Sequence, residues 1–191
     1  AVGLDRTYYA TIEAPVFARY AADVPDDFRF LVKAHEACTL PAFPRLPRYG
    51  AAAGSANARF LDPCWAADAV VAPAAKGLGA KLGALLFQFT PLGRRETADP
   101  ARFAARLHAF LAALPRGPVY AVELRNAPLL SRDYTQALAG AGAVHCLNAH
   151  PTMPGPARQR ALVREHAGSG GRPPPGAPCI VRWMLPRGLR Y

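Results

Sequence analysis

Short apolar runs of strand type alternate along this chain with segments of helical periodicity, and this alternation limits the folds it can adopt. Six strands are predicted: Val2–Asp5, Phe28–Ala34, Leu85–Phe89, Val119–Leu124, Ala143–Asn148 and Cys179–Met184. Because helical segments separate them, the strands must pair in parallel through crossovers. We therefore expect an α/β fold and, more narrowly, one TIM-type (β/α) barrel domain over residues 1–191. About six of its eight units are present, and the first strand and the C-terminal unit are missing. A doubly wound open sheet is the alternative, but no G-x-G-x-x-G motif occurs.

Capping residues and periodicity place helices between these strands. They are predicted at about Ala14–Val24, after Asp62-Pro63 with a kink at Pro73, after Asp99-Pro100, at Ser131–Ala139 and at Ala157–Ala167. The helix after Pro100 is the clearest, because five large apolar residues recur there with helical spacing: Phe103, Leu107, Phe110, Leu111 and Leu114. Residues 35–61 form the one long, irregular connection. Since they follow a strand, we predict a loop or lid over the barrel mouth.

Polar side chains end the predicted strands, on the face opposite the apolar residues. Glu123 and Arg125 alternate with apolar neighbours, and an unpaired charge packed against helices would be costly, so both should face inward or toward the mouth. The same alternation directs other polar strand-end residues to this face: Asp5, Lys33, Gln88 and Arg182, with Asn148 as a further candidate from a less regular strand. Barrel enzymes build their active sites at the carboxyl ends of their strands. These residues therefore predict a functional pocket there.

Charge and cysteine content bear on the partners. The chain has 23 Lys and Arg against 13 Asp and Glu, a net charge of +10, and after Tyr134 only Glu165 is acidic. Nucleic acid is therefore considered as a partner, although no aromatic residues interleave with the basic ones. Four scattered cysteines without a C-x-x-C pair predict reduced thiols in a cytoplasmic protein. No signal peptide or apolar run of membrane length is visible.

The histidines near strand ends do not predict a metal site. His35, His145 and His150 lack the spacing of metal-ligand motifs and are interpreted as surface or loop residues.

Five runs occur in order over nearly the whole chain: Thr7-Tyr8-Tyr9, Phe28-Arg-Phe-Leu-Val-Lys-Ala34, Lys81-Leu-Gly-Ala-Leu-Leu-Phe-Gln88, Ala121-Val-Glu-Leu-Arg125 and Val181-Arg182. Together they resemble the YecE-like family, catalogued as domain of unknown function seventy-two. The resemblance implies a TIM-type barrel and no established activity. It also implies that five residues are recurring polar positions of the family: Lys33, Gln88, Glu123, Arg125 and Arg182.

The chain departs from the family pattern at several positions. Gly3, Asp5 and Arg6 stand where an acid-x-Asn-Ser motif is usual, and Asn126 stands where a His is common. The usual first strand, with its Gly-Thr-Ser-Gly-Trp type of motif, is absent.

Three functions are compatible with the predicted pocket. The first is an enzyme that acts on a small anionic substrate, such as a phosphate, a carboxylate ester or a sugar derivative. In it Glu123, held by Arg125, is the general acid or base, Lys33 and Arg182 stabilise negative charge, and Gln88 orients the substrate. Arg182 and Arg187 either hold an anion or belong to an exposed basic loop. The second is a basic nucleic-acid-associated protein, and the third a module that binds a metabolite without turnover. The sequence predicts no particular cofactor, metal or oligomeric state.

Overall fold

The structure, a computed structural model, describes residues 1–167 and 178–183 and shows a mixed α/β fold. Its strands are β1 (Val2–Leu4), β2 (Phe30–Lys33), β3 (Leu82–Gln88), β4 (Tyr120–Glu123), β5 (Val144–His145), β6 (Leu147–Asn148) and β7 (Val181–Arg182). Its helices are α1 (Ala14–Ala22), α2 (Pro63–Ala66), α3 (Ala72–Leu78), α4 (Arg94–Thr97), α5 (Pro100–Ala112), α6 (Arg132–Ala141) and α7 (Pro156–Ala167). The predicted alternation of strands and helices is confirmed.

All paired strands run parallel, and their spatial order follows their order in the chain. Strands β1 to β5 form one sheet in the sequence β1-β2-β3-β4-β5, and β6 pairs with β7. The predicted strand Ala143–Asn148 is divided at Cys146. The Cys146 amide donates to Val122 of β4, whereas the Leu147 amide donates to Ile180 beside β7. One segment thus bonds to β4 with its first half and to β7 with its second.

The two faces of the sheet carry different side chains, as the alternation predicts. The main core joins helix residues to one set of strand residues: Phe30, Val32, Ala34, Leu85, Phe87, Phe89, Tyr120, Val122 and Leu124. A smaller cluster on the opposite face contains Leu86, Ala121, Val144 and Cys146. Gln88 and Glu123 lie two residues beyond Leu86 and Ala121, and Lys33 lies two beyond Leu31, which packs against this cluster, so all three share its face.

The helices begin where the capping residues indicate. Asp62, Asp99 and Ser131 each accept hydrogen bonds from backbone amides of the first turn that follows. On α5 the periodic residues Phe103, Leu107, Phe110 and Leu111 are buried, and burying a side chain of this size contributes about 1.5–3 kcal/mol. A π-helical turn, Ala67–Val71, precedes Pro73, and the chain continues as helix beyond it. The kink at Pro73 stays a prediction.

Residues 35–61 have fixed internal structure. They contain two 3-10 turns, Glu36–Cys38 and Pro47–Ala52, and an antiparallel bridge between Ala42 and Ala56. The buried Asn57 amide donates to the carbonyl oxygens of Ala37 and Leu40, at 2.8 and 2.6 Å. These bonds satisfy backbone groups that would otherwise be orphaned inside an irregular segment.

Within residues 1–167 and 178–183, no helix combines the length and apolar character needed to cross a membrane.

Candidate functional site

Four predicted site residues end four strands, three in the five-stranded sheet and one in the β6–β7 pair, and three of their side chains are in contact. Lys33 ends β2, Gln88 ends β3, Glu123 ends β4 and Arg182 ends β7. Gln88 and Glu123 are direct partners in the β3–β4 register. Because parallel strands present their carboxyl ends together, side chains from distant parts of the sequence meet here.

A closed network of charged and amide groups forms at these strand ends. Glu123 is fully buried, and its two carboxylate oxygens accept hydrogen bonds from Arg125 Nε at 3.0 Å and Arg182 Nη1 at 2.6 Å. Gln88 Oε1 accepts from the same two arginines, at 2.9 Å from Arg125 Nη2 and 2.7 Å from Arg182 Nη1. Two guanidinium groups are therefore fixed by one carboxylate and one amide oxygen.

Charge pairing makes this burial tolerable. A buried carboxylate is costly unless it is paired and hydrogen-bonded, and Glu123 has a cationic partner on each oxygen. Burial disfavours the charge on Arg182, but the attraction of Glu123, the hydrogen bond that Arg182 donates to it and the attraction of Asp5 outweigh burial and raise the pKa of the guanidinium. Arg182 thus remains a cation.

Lys33 lies beside this network without entering it. Its Nζ is 3.6 Å from Asp5 Oδ1, and Arg182 Nη2 lies 3.6 Å from the same oxygen. The ammonium also lies 4.4 Å from the centre of the Tyr8 ring, within cation–π range. Burial lowers the pKa of Lys33; Asp5 acts against this effect and Arg182 adds to it.

A 3-10 turn after β1, Arg6–Tyr8, sets the position of Lys33 and Tyr8. The Thr7 hydroxyl lies 2.6 Å from the carbonyl oxygens of both Leu4 and Lys33, so it can donate to either and ties the turn to the end of β2. Tyr8 is only 4% exposed, and its buried hydroxyl makes no hydrogen bond within the part of the chain that the structure describes. Burial, and then the negative charge of Glu36, raise the pKa of this phenol.

A large open cavity of about 770 Å³ adjoins the network. Asp5, Lys33 and Arg182 line it near the carboxyl ends of the strands, and it extends along the sheet to residues at their amino ends, among them Val2, Phe30 and Leu82. A second cavity, of about 230 Å³, lies between α6, α7 and β5 and is lined mainly by apolar side chains. We regard the first as the candidate site because only it is bordered by members of the strand-end cluster.

Asn148 is close to the cluster in register but uses its side chain on the backbone. It is the partner of Arg182 in the β6–β7 register and is fully buried. Its amide nitrogen donates to the Leu124 carbonyl at 3.0 Å, and its oxygen accepts from the His150 amide at 3.1 Å. These bonds hold the connection after β6 against the end of β4.

The interpretation of His145 as a surface or loop residue is wrong. It belongs to β5 and lies between the Tyr134 hydroxyl, 2.8 Å from Nδ1, and Gln159 Oε1, 3.1 Å from Nε2. Since Gln159 Oε1 can only accept, Nε2 carries the proton and Nδ1 accepts from the phenol. Burial lowers the pKa of His145 to about 4, so the ring is neutral near pH 7.

His35 and Asn126 also serve the local fold. His35 Nδ1 accepts from the Ala37 amide and caps the turn after β2. The Asn126 amide pairs with Leu92 in both directions, with Nδ2 donating at 3.1 Å and Oδ1 accepting at 2.7 Å. Within the described ranges, no three His, Cys, Asp or Glu side chains come together as metal ligands. Arg187, the remaining predicted anion-binding residue, lies outside the described residues.

Several residues of the turns around the site are not among the predicted site residues. Buried Glu36 accepts from Arg48 Nη2 at 3.2 Å and from the Tyr49 hydroxyl at 3.0 Å, and Arg48 stacks 5.1 Å from the Tyr9 ring centre. These contacts join residues 35–61 to the turn that carries Tyr8. Alternation could not find them because they lie in irregular segments; only the family-like run at Thr7-Tyr8-Tyr9 marked their neighbourhood.

Comparisons with known proteins agree with the sequence motifs. The profile of the family described as "Protein of unknown function DUF72" matches residues 1–177. Two crystal structures of a DUF72 family protein from Enterococcus faecalis V583 are similar to this chain, each with a TM-score of 0.52 and 18% identity. The matches cover 80% and 81% of this chain but 58% and 53% of the solved chains, so this chain spans little more than half their length. No curated protein matches this chain. The likeness to the solved structures concerns the fold alone, but the family match extends over most of the sequence, and the chain belongs to the DUF72 family of proteins of unknown function.

Proposed function

We propose that the chain is part of a TIM-type (β/α) barrel enzyme that acts on a small anionic substrate at the carboxyl ends of its strands. The observation that carries this proposal is the convergence of three cations, Lys33, Arg125 and Arg182, of which Lys33 and Arg182 line one cavity. Among the described residues, the carboxylates paired with them are those of Asp5 and Glu123. A phosphate, a carboxylate or a sugar acid would supply the further negative charge that three cations favour.

The strand arrangement supports the barrel. A doubly wound sheet reverses its strand order at a switch point, and no reversal occurs from β1 to β5. Within the described residues, β1 and β7 each have a strand partner on one side only, yet both line the same cavity, and Arg182 reaches Asp5 across it. Further strands between these two edges would close the ring.

The proposed roles follow from which side chains already make hydrogen bonds within the site. Glu123 and Lys33 are the proposed catalytic residues, but both oxygens of Glu123 already hold arginines, whereas Lys33 borders the cavity. Glu123 would have to release an arginine before it could take a proton. Arg125 and Gln88 fix the orientation of Arg182, and Arg182 presents positive charge to the ligand.

Calorimetric titration with inorganic phosphate and with small carboxylates tests the proposal. Removal of a charged partner costs about 1.5–3 kcal/mol, so Lys33→Met should weaken binding by about tenfold or more. Lys76→Met is the matched control, because Lys76 is exposed on α3. Equal affinity for the wild type and both variants would refute an anion site at Lys33.

Turnover separates an enzyme from a module that only binds a metabolite. Once a ligand that binds at this site is identified, Glu123→Gln should lower its turnover. If Lys33→Met abolishes binding while no product ever forms with the wild type, the non-catalytic module is the correct function.

A nucleic-acid-associated protein is the second candidate, and one observation favours it. Arg158, Arg160 and Arg164 are all exposed on α7. Binding to these residues should weaken steeply with salt, since each neutralised phosphate releases counterions. Failure to bind a short duplex at low salt would end this candidate.

We also propose that residues 35–61 act as a lid and that the protein is cytoplasmic. The lid is supported by the contacts of Arg48 with Tyr9 and Glu36 near the site. The location is supported by the four free thiols, which are typical of reducing compartments.

A further inference from the structure

We infer that Lys33 is a covalent nucleophile whose amine forms an imine with an aldehyde or ketone group of the anionic ligand. The inference rests on the proposed function, because an anion at Arg182 would bring the carbonyl to Lys33. The substrate class is then a small carbonyl compound that also bears a carboxylate or phosphate group.

Lys33 is the cation of the site whose charge is least compensated. Arg125 and Arg182 both bond to the buried Glu123 carboxylate. The ion pair of Lys33 is with Asp5, at 3.6 Å, and the side chain of Asp5 is 65% exposed. A long pair with a solvated carboxylate contributes little, and Arg182 competes for the same oxygen.

Of the three cations of the site, Lys33 is therefore the one that can lose a proton. An arginine does not lose its proton in a protein, whereas a partly buried lysine beside another cation is the usual form of an amine nucleophile. Burial has the largest effect on Lys33 and opposes the ammonium. Arg125 and Arg182 oppose it as well, whereas Asp5, Glu123 and the Tyr8 ring beneath it favour it.

The geometry lets one small molecule reach both groups. Lys33 Nζ and Arg182 Nη2 lie at the same distance from a single oxygen of Asp5, so at most twice that distance separates them. A 2-oxo acid or a phosphorylated sugar spans such a gap between its anionic group and its carbonyl carbon. Lys33 has a 10% exposed side chain, and both it and Arg182 line the cavity of about 770 Å³, so its amine is reachable.

The Lys33 ammonium first loses one proton to solvent. The nitrogen lone pair of the resulting amine then attacks the carbonyl carbon and forms a C–N bond, while the carbonyl oxygen takes up one proton from the amine and one from solvent. The oxygen leaves as water, and the product is a protonated imine with one positive charge. Borohydride then delivers hydride to the imine carbon and gives a stable secondary amine.

Reductive trapping tests the inference on the full chain. The protein is incubated with pyruvate and sodium borohydride, and adducts are assigned by peptide mapping. The chain has only three lysines, and Lys76 and Lys81 serve as internal controls, since Lys76 is exposed and Lys81 donates to the carbonyl oxygens of Ala21 and Val24. We expect one adduct, on Lys33, at a pH where Lys76 is unmodified, and its loss in Lys33→Met but not in Lys76→Met.

Parallel titration with lactate distinguishes the failure of this inference from the failure of the proposed function. Lactate carries the charge of pyruvate but has no carbonyl group. If lactate binds in a Lys33-dependent way but pyruvate leaves no adduct, the anion site stands and the nucleophile is refuted. If neither binds, the proposed function fails as well. An adduct confined to Lys76 or Lys81 also overturns the inference.

Discussion

Replacement of Glu123 by glutamine should destabilise the fold strongly, because this one carboxylate fixes two guanidinium groups. Glu123 is fully buried and bonds to Arg125 at 3.0 Å and to Arg182 at 2.6 Å. Glutamine keeps the shape and one acceptor oxygen but removes the charge. Its amide nitrogen would also oppose an arginine N–H group, donor against donor.

The magnitude follows from the bonds that are lost. Each hydrogen bond to a charged group contributes roughly 1.5–3 kcal/mol, and breaking a buried ion pair costs about 3–5 kcal/mol. The side chains of Arg125 and Arg182 are 18% and 21% exposed, so water recovers part of this cost. We therefore expect a loss of about 3 kcal/mol in the free energy of unfolding, or about 6–12 °C in Tm for a chain of this size.

Urea denaturation followed by circular dichroism measures this loss, with Glu165→Gln as the matched control. Glu165 is exposed on α7, and its replacement should change stability by no more than about 0.5 kcal/mol. If Glu123→Gln is no more destabilising than Glu165→Gln, the network does not stabilise the fold, and the description of Glu123 as the group that fixes both arginines is refuted.

Three further predictions concern the scaffold. Burial lowers the pKa of His145 to about 4, so neutral His145 contributes about 3 kcal/mol to the free energy of unfolding above pH 6.5, and this contribution is lost as the pH falls toward 4. Urea unfolding at pH 7 and pH 4.5 should therefore show a smaller loss of stability in His145→Gln than in the wild type, and equal losses would contradict this. Asp62→Ala removes the cap of α2 and should cost about 1 kcal/mol by the same assay, whereas Asp68→Ala, at an exposed position, should cost less; equal losses would argue against the cap. Gly77→Ala would place a Cβ 2.5 Å from a side-chain carbon of α1 and should lower Tm by several degrees. Gly155→Ala is the control, because its Cβ would meet open space and its Tm should not change. Similar Tm values for the two variants would exclude the close approach of α1 and α3.

The sequence predicted the scaffold and the side of the sheet on which each strand residue lies. Alternation in Val119–Leu124 separated the helix-facing Tyr120 and Val122 from Glu123, and the structure places them on opposite faces. The caps Asp62 and Asp99 were equally predictable from the sequence, because a cap bonds to a backbone amide no more than three residues away. Such features depend on local periodicity and local bonds, which the order of residues specifies directly.

The turns around the site were not predictable in this way. Tyr8 lies under Lys33 because the turn after β1 is tied to β2, and Glu36 meets Arg48 twelve positions away. No periodic pattern links such residues. The division of Ala143–Asn148 at Cys146 was also hidden, since it depends on which neighbouring strand each amide reaches.

By itself, then, the order of residues determined the parallel α/β scaffold, the face on which each polar strand-end residue lies, and the family. Only the tertiary structure decided the partners: that Glu123 is shared by two arginines, and that Lys33 pairs with the exposed carboxylate of Asp5, which Arg182 shares. The physical reason is that side-chain direction follows from the pleat of one strand, whereas the pairing of charges depends on distances between strands that only the folded sheet fixes.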